Sequence, residues 1–308
     1  MSHEKPVEPF SDLHVEDNRV RATLLHDPTV EGLEMALYLD GSGSMSDEYE
    51  YQTEPQSFWE SLFGGAESAV TLPNQVEPQA QWMLEYLATK DRNGVLRAAY
   101  WATGSTGKEI EVIGDLQGTE ARNYKFSGPR APGGQTHLKP AIEDYVNYLK
   151  SQTASGAKRG GAVFITDGVL HDADAVISYT RRIAADIEAG RLPRTTFILV
   201  GIGDQVDEEQ LESISHEDLP GVGHLWCHRI AGEITQVAEL VAGLVDETMT
   251  VGAGGTIYDD KGKVLKVYEA RLPAVLEFDV PAGCRSFTLE VAGQKFTQPL
   301  PEEDDAEE

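Results

Sequence analysis

The sequence predicts an α/β protein built as a Rossmann-like, doubly wound, mostly parallel sheet flanked by helices, with a small all-β module at its C-terminal end. Three observations carry that prediction. Residues 35–39 are an unbroken apolar run, as expected of a strand covered on both faces, and strand candidates of similar kind recur at 161–165 and 196–202. Between these runs apolar residues return at helical spacing, as at Val76, Ala80, Met83, Leu84 and Leu87. From Thr250 the pattern changes from period 3.6 to period 2.

Taken in order, residues 1–12 are polar and proline-spaced and read as a flexible terminus. Residues 13–30 hold a strand candidate at 20–25, closed by the turn His26-Asp-Pro28, whose partner is sought at the other end of the chain. The main domain is placed at 31–249. Its first strand, 35–39, runs into Asp40-Gly-Ser42-Gly-Ser44, after which 46–73 is far longer than the usual connection of about 2 to 6 residues. That stretch carries Tyr49, Tyr51, Phe58, Trp59 and Phe63, with a short amphipathic helix expected at 57–63. Two readings of these aromatics stay open, docking on the domain and a lid that contacts a partner.

A helix follows over 74–90, a turn at Asp91-Arg-Asn-Gly94, and two strands at 95–102 and 109–113. The loop 128–135 is dense in breakers and delivers Thr136 to the head of a helix over 138–151, with Pro140 in its first turn and Leu138, Ile142, Tyr145 and Leu149 inward. The strand 161–165 ends in Thr166-Asp167-Gly168 at the same sheet edge as Asp40, where open sheets place ligands. Beyond it come a helix over 172–189 with Val176, Tyr179, Ile183 and Ile187 inward, and the strand 196–202. Asp207 and Gln210 read as a capping box, 223–228 as a sixth strand, and 232–248 as a closing helix. In the module at 250–300, strands are expected at 264–269, 275–279 and 286–291, separated by turns at Asp259-Asp-Lys-Gly262, Leu272-Pro-Ala274 and Pro281-Ala-Gly283. About fifty residues are short of core, so the module is expected to pack on the main domain and to recruit the 20–25 strand. Residues 301–308 read as a solvated acidic tail.

Composition limits the partners. With 25 basic against 52 acidic residues the formal net charge is −27, and no Lys/Arg-rich run interrupts it. Such a chain is repelled by phosphate backbones and anionic membranes, so nucleic acid and membrane partners are excluded. Two cysteines, Cys227 and Cys284, on different predicted domains do not make a disulfide framework. Residues 1–10 lack an apolar leader core, and no segment is long enough to span a bilayer. The expectation is a soluble cytoplasmic protein of bacterial type.

The chemistry concentrates in the turn after the first strand. Asp40, Ser42 and Ser44 stand at spacing two, with Gly41 and Gly43 permitting a tight turn on which their oxygens converge. Hard oxygens suit Mg2+ or Mn2+, and the turn lacks the imidazole or thiolate ligands that favour zinc or copper. Competing readings fail on spacing. A dehalogenase-type phosphotransferase needs Asp where Ser42 stands, and a nucleophile elbow needs serine at the centre of Gly41 to Met45, where Gly43 stands. Gly104-Ser-Thr-Gly-Lys108 lacks the leading glycine of a phosphate loop and is followed by Glu109, so it reads as a polar turn.

Asp40-Gly-Ser42-Gly-Ser44 matches Asp-x-Ser-x-Ser, and with Gly133-Gly-Gln-Thr136 and Val163-Phe-Ile-Thr-Asp167-Gly168 it resembles, in order, the three motifs of the von Willebrand factor A family over about residues 33 to 248. The resemblance implies a metal-ion-dependent adhesion site. In it Ser42, Ser44 and Thr136 are direct or near-direct ligands of Mg2+, Mn2+ or Ca2+, and Asp40 and Asp167 often act through water. It further implies that the ion captures a Glu or Asp side chain of a protein partner, with no catalysis. Asn93-Gly-Val-Leu-Arg-Ala-Ala-Tyr-Trp101 and Phe164-Ile-Thr-Asp-Gly168 look similar to the intracellular bacterial members of tellurite-resistance and stress operons. The 46–73 segment and the β module depart from simple A domains. Two alternatives stand beside this reading: a Mg2+-dependent phosphohydrolase in which His137 or His171 activates water, and a regulatory subunit whose metal serves stability.

Other candidate ligands are weaker. His224, Cys227 and His228 would lie on one strand with 227 facing away from the other two, which argues against zinc. His137 and His171 follow closely on Thr136 and Asp167 and are expected near the metal face, where an ordinary surface role is preferred for both over contact with a partner.

Overall fold

The computed structural model describes residues 6–16, 18–24, 32–49, 74–217, 219–248, 250–252, 254–269, 272–291 and 293–301. The turn expected at 26–28, the helix expected at 57–63 and most of the acidic tail lie outside these residues. Two compact units divide the chain: residues 28–244, and residues 1–27 together with 245–308. In chain order the elements are β1 (Phe10–Glu16), β2 (Arg19–Leu24), β3 (Leu33–Asp40), α1 (Val76–Ala88), β4 (Val95–Thr103), β5 (Glu109–Gln117), α2 (Lys139–Gln152) and β6 (Arg159–Thr166). They continue as α3 (Ala173–Glu188), β7 (Arg194–Ile202), α4 (Glu208–Ser215), β8 (Trp226–Ala231) and α5 (Val237–Thr248). The chain ends in β9 (Thr250–Gly252), β10 (Gly255–Asp259), β11 (Val264–Tyr268), β12 (Leu272–Pro273), β13 (Val275–Asp279), β14 (Ser286–Val291) and β15 (Gln294–Pro299).

The larger unit is a six-stranded sheet in the order β5-β4-β3-β6-β7-β8, parallel throughout except for antiparallel β5 at one edge. All eight residues of β3 are buried, as its unbroken apolar run requires. Because strand side chains alternate, Ala36, Tyr38, Ala162, Phe164, Phe197 and Leu199 share a face, covered by α2, α3 and α4. Met35, Leu37, Leu39, Val163 and Ile165 alternate with them and are also buried, and α1 packs on β3, β4 and β5. Helix α1 buries Val76, Ala80, Met83, Leu84 and Leu87, the stripe read from the sequence. Among the described residues no helix is long and apolar enough to cross a membrane.

Three expectations within this unit are corrected. The sixth strand begins at Trp226 rather than 223, because Gly223 takes a left-handed φ of 71° and its N–H closes a turn on the Leu219 carbonyl. His224 therefore precedes the strand, His228 Nδ1 lies 2.9 Å from Ser215 Oγ, and no group of three or more His, Cys, Asp or Glu is gathered for a metal among the described residues. The inner stripe of α3 is Val176, Thr180, Ile183 and Ala184, with Tyr179 and Ile187 only half-buried. Thr180 belongs inside because its hydroxyl accepts a 3.0 Å bond from the buried indole Nε1–H of Trp226. Thr180→Val is expected to strand that donor and cost roughly 1–3 kcal/mol in urea denaturation; a loss below about 0.5 kcal/mol would show that the bond contributes nothing net. The capping box is half formed. Asp207 caps α4 through Gln210 N–H at 3.2 Å, while the Gln210 amide oxygen accepts instead from Leu170 N–H at 3.0 Å.

The smaller unit has sheets β1-β2-β13 and β11-β10-β14-β15 and the short pair β12-β9, all antiparallel. The two larger sheets share one core of Phe10, Val20, Ala22, Leu24, Ile257, Leu276, Phe278, Phe287 and Leu289. At its centre the Phe287 ring meets Phe10 edge-on at 5.2 Å and Phe278 at 4.8 Å. Phe10 is 2% exposed and opens β1, against the flexible terminus expected over 1–12, and alternation fails to reveal this strand because its other residues stay exposed or half-buried. Leu272-Pro-Ala274, expected as a turn, contributes β12, whose Leu272 pairs with Gly252 and whose Pro273 stands at the strand end, where a missing N–H costs little.

Candidate metal centre

The carboxyl ends of β3 and β6 lie side by side, Leu39 opposite Ile165, and this brings Asp40 and Asp167 to one edge of the sheet. Asp40 is fully buried. Its Oδ1 accepts from Ser42 N–H at 2.7 Å, its Oδ2 from the Thr166 hydroxyl at 2.7 Å, and its carbonyl from the buried Tyr49 hydroxyl at 2.9 Å. The carboxylate thus shapes the turn from behind. In front of it Ser42 Oγ lies 2.9 Å from Ser44 Oγ, which donates to Asp167 Oδ1 at 2.8 Å. These oxygens form a continuous row.

Thr136 reaches the same edge on the loop before α2. The loop is joined to the first turn by two backbone bonds, Gly43 N–H to the Gly133 carbonyl (2.8 Å) and Gly133 N–H to the Gly41 carbonyl (3.0 Å). On its other side Thr136 is tied to the segment after β6. His171 N–H donates to the Thr136 carbonyl at 2.9 Å, and Thr136 N–H donates to His171 Nδ1 at 3.1 Å. The next residue, Asp172, accepts from Leu138 N–H and Lys139 N–H at 2.9 and 3.0 Å and caps the start of α2. A Cβ added at Gly168 would stand 3.9 Å from Ser44 Oγ and 4.0 Å from Thr136 Oγ1, so both hydroxyls border that glycine.

Ser42, Ser44, Thr136 and Asp167 line one open cleft of about 370 Å3, together with Gly168, Val169, His171 and Gln205. Of the five residues singled out in the sequence, Asp40 alone is absent from this lining and sits beneath it. Burial, and then the charge of Asp167, push the Asp40 carboxyl up to about 7; burial also raises Asp167. Among the described residues no Lys or Arg hydrogen-bonds to or pairs with either carboxyl.

Sequence reasoning missed the residues that hold the ligand candidates. Thr166, Tyr49 and Asp172 carry no local signal of their role, although Thr166 stands directly before Asp167. His171 is exposed, as a surface histidine should be, yet lines the cleft. His137 is not a surface residue: its side chain is 12% exposed, its Nε2 lies 3.0 Å from the Gln135 amide oxygen, and burial lowers its pKa.

No protein-family model and no curated protein matches this chain. Among solved structures, that of the manganese-loaded TRAP protein from Plasmodium vivax is similar over 94% of this chain and 98% of that one, with 13% sequence identity and a TM-score of 0.41. A likeness of that degree defines neither a family nor a site. What the structure itself defines is an α/β sheet carrying an oxygen-lined cleft at the carboxyl ends of its strands.

Proposed function

We propose that the protein is a metal-dependent protein-interaction module of the von Willebrand factor A kind, binding Mg2+ or Mn2+ in the cleft and capturing an acidic side chain of a partner protein through the ion. One observation carries this reading: the row of Ser42, Ser44 and Asp167 oxygens opens onto the cleft while the Asp40 carboxylate is fully bonded behind it. The donor set fits the ion. Neighbouring oxygens around an octahedral ion with bonds of 2.0–2.1 Å are about 2.9 Å apart, close to the 2.9 and 2.8 Å spacings of this row. Ca2+, with longer bonds, would require the row to spread. Ser42, Ser44 and Thr136 would hold the ion through neutral oxygens, with Asp167 beside them and Asp40 in reserve. The bound ion supplies an under-neutralised charge with an exchangeable position, which an anionic ligand fills.

Less in the cleft supports the phosphohydrolase alternative. A neutral imidazole has one lone pair for accepting a proton, and that of His171 is engaged by Thr136 N–H. Among the described residues the other titratable group lining the cleft is Asp167, whose Oδ1 accepts from Ser44 and which the proposal assigns to the ion. With that reading go a bacterial cytoplasmic setting, proposed from composition and cysteine usage, and a link to stress operons, proposed from the sequence resemblance.

The test is calorimetric. Mn2+ and Mg2+ are expected to bind the unaltered chain, and Asp40→Ala/Asp167→Ala to weaken binding at least tenfold, since it removes both negative charges at the edge. Unchanged affinity in the double variant would sink the metal site. A partner captured in Mg2+ and retained equally in EDTA would sink the bridging role while leaving the ion in place.

A further inference from the structure

We infer that His171 is a positioning residue for the metal centre, holding Thr136 at the distance from Asp167 that a shared ion requires; this rests on the reading of the cleft as a metal site. Two of the fastenings of the loop bearing Thr136 border the cleft. One is the pair of bonds between Gly133 and the first turn, which is entirely backbone. The other is the ring closed by His171 N–H on the Thr136 carbonyl and by Thr136 N–H on His171 Nδ1, and half of it depends on a side chain. Fixing both backbone polar groups of Thr136 fixes the direction of its Cα–Cβ bond and leaves Oγ1 only the staggered χ1 positions about it. Accepting at Nδ1 sets the neutral ring with its proton on Nε2. The segment that starts with Asp167 therefore brings one candidate ligand itself, pins a second through His171, and caps the helix behind that second ligand through Asp172. Displacement of one of these candidate ligands is transmitted to the other.

Outer residues that orient metal ligands typically change affinity by about 10- to 100-fold when removed. Because the His171 side chain is exposed, its replacement leaves the core intact. In Mn2+ titrations His171→Phe is expected to bind about tenfold more weakly than the unaltered chain, while the metal-free protein in EDTA still unfolds cooperatively, with its Tm lowered by no more than a few degrees for the unpaired Thr136 N–H. His171→Asn, whose amide oxygen can accept from Thr136 N–H, is expected to restore most of the affinity. His171→Phe binding as tightly as the unaltered chain would overturn the role, and so would His171→Asn binding as weakly as His171→Phe. An unaltered chain that binds no Mn2+ overturns the metal reading itself and this role with it, an outcome distinct from either of those.

Discussion

Gly133→Ala is expected to abolish measurable Mn2+ binding and to destabilise the larger unit by about 2 kcal/mol or more, whereas Gly43→Ala, its bonded neighbour, is expected to do neither. A Cβ at Gly133 would lie 1.9 Å from the Ala102 carbonyl oxygen and 2.9 Å from the Gly107 Cα. Both obstacles are backbone, so no side chain can swing aside. The loop must lift from the end of β4, breaking the two bonds that tie it to Gly41 and Gly43 and carrying Thr136 away from Ser44. The backbone there has little room to yield, since Ala102 already holds a left-handed φ of 55°, a strained conformation for a residue with a side chain. A Cβ at Gly43 meets nothing nearer than the Gly133 carbonyl at 3.5 Å, an ordinary contact. Calorimetry on the two variants decides it: Mn2+ affinity within threefold of the unaltered chain in Gly133→Ala would show that the loop tolerates displacement.

Deleting residues 1–24 is expected to unfold the smaller unit while the larger one keeps its metal binding. The deletion removes β1 and β2, leaves β13 without its neighbour, and uncovers Leu276, Phe278 and Phe287. Loss of Phe10, Val20 and Leu24 alone forfeits roughly 1.5–3 kcal/mol of burial each, against a typical total stability of about 5–15 kcal/mol for a domain. Amide resonances of 255–300 should collapse to unfolded positions, and proteases should cut that region first. Retained dispersion there would show that the two-sheet core does not need the N-terminal hairpin.

What could be read in advance follows a physical divide. The helix at α1 was legible because its five buried residues repeat at helical spacing, and β3 because a fully covered strand leaves no polar residue in its run. The Asp40-Gly-Ser42-Gly-Ser44 turn was legible because its geometry is local, and Asp167 because it directly follows a buried strand. Strands such as β1 and β15 were not legible, since each buries too little of one face to alternate clearly. The same divide runs through the candidate site. Thr166 and His171 act on residues far away in sequence, and a hydroxyl or imidazole that fastens a distant group looks like any other polar side chain until the chain is folded. Thr180 shows the limit from the other side. A polar residue takes the centre of a buried helix face because Trp226, on another element, needs an acceptor.

The pairing of β2 with β13 also sets a timetable. Thr23 lies opposite Val275, about 250 residues later in the chain. At a synthesis rate of about 5–20 residues per second, the hairpin of β1 and β2 leaves the ribosome on the order of ten seconds to a minute before β13 exists. During that interval the larger unit is completed, because every strand of its sheet precedes residue 232. The hairpin, with Val20 and Leu24 destined for a core whose other half is unmade, must remain soluble and uncommitted throughout. Arg19, Arg21, Asp12 and Glu16, distributed along the two strands, give this waiting segment charge of both signs. An apolar surface exposed for so long is a natural place for a chaperone to bind during synthesis, and a chain truncated anywhere before β13 would display it permanently.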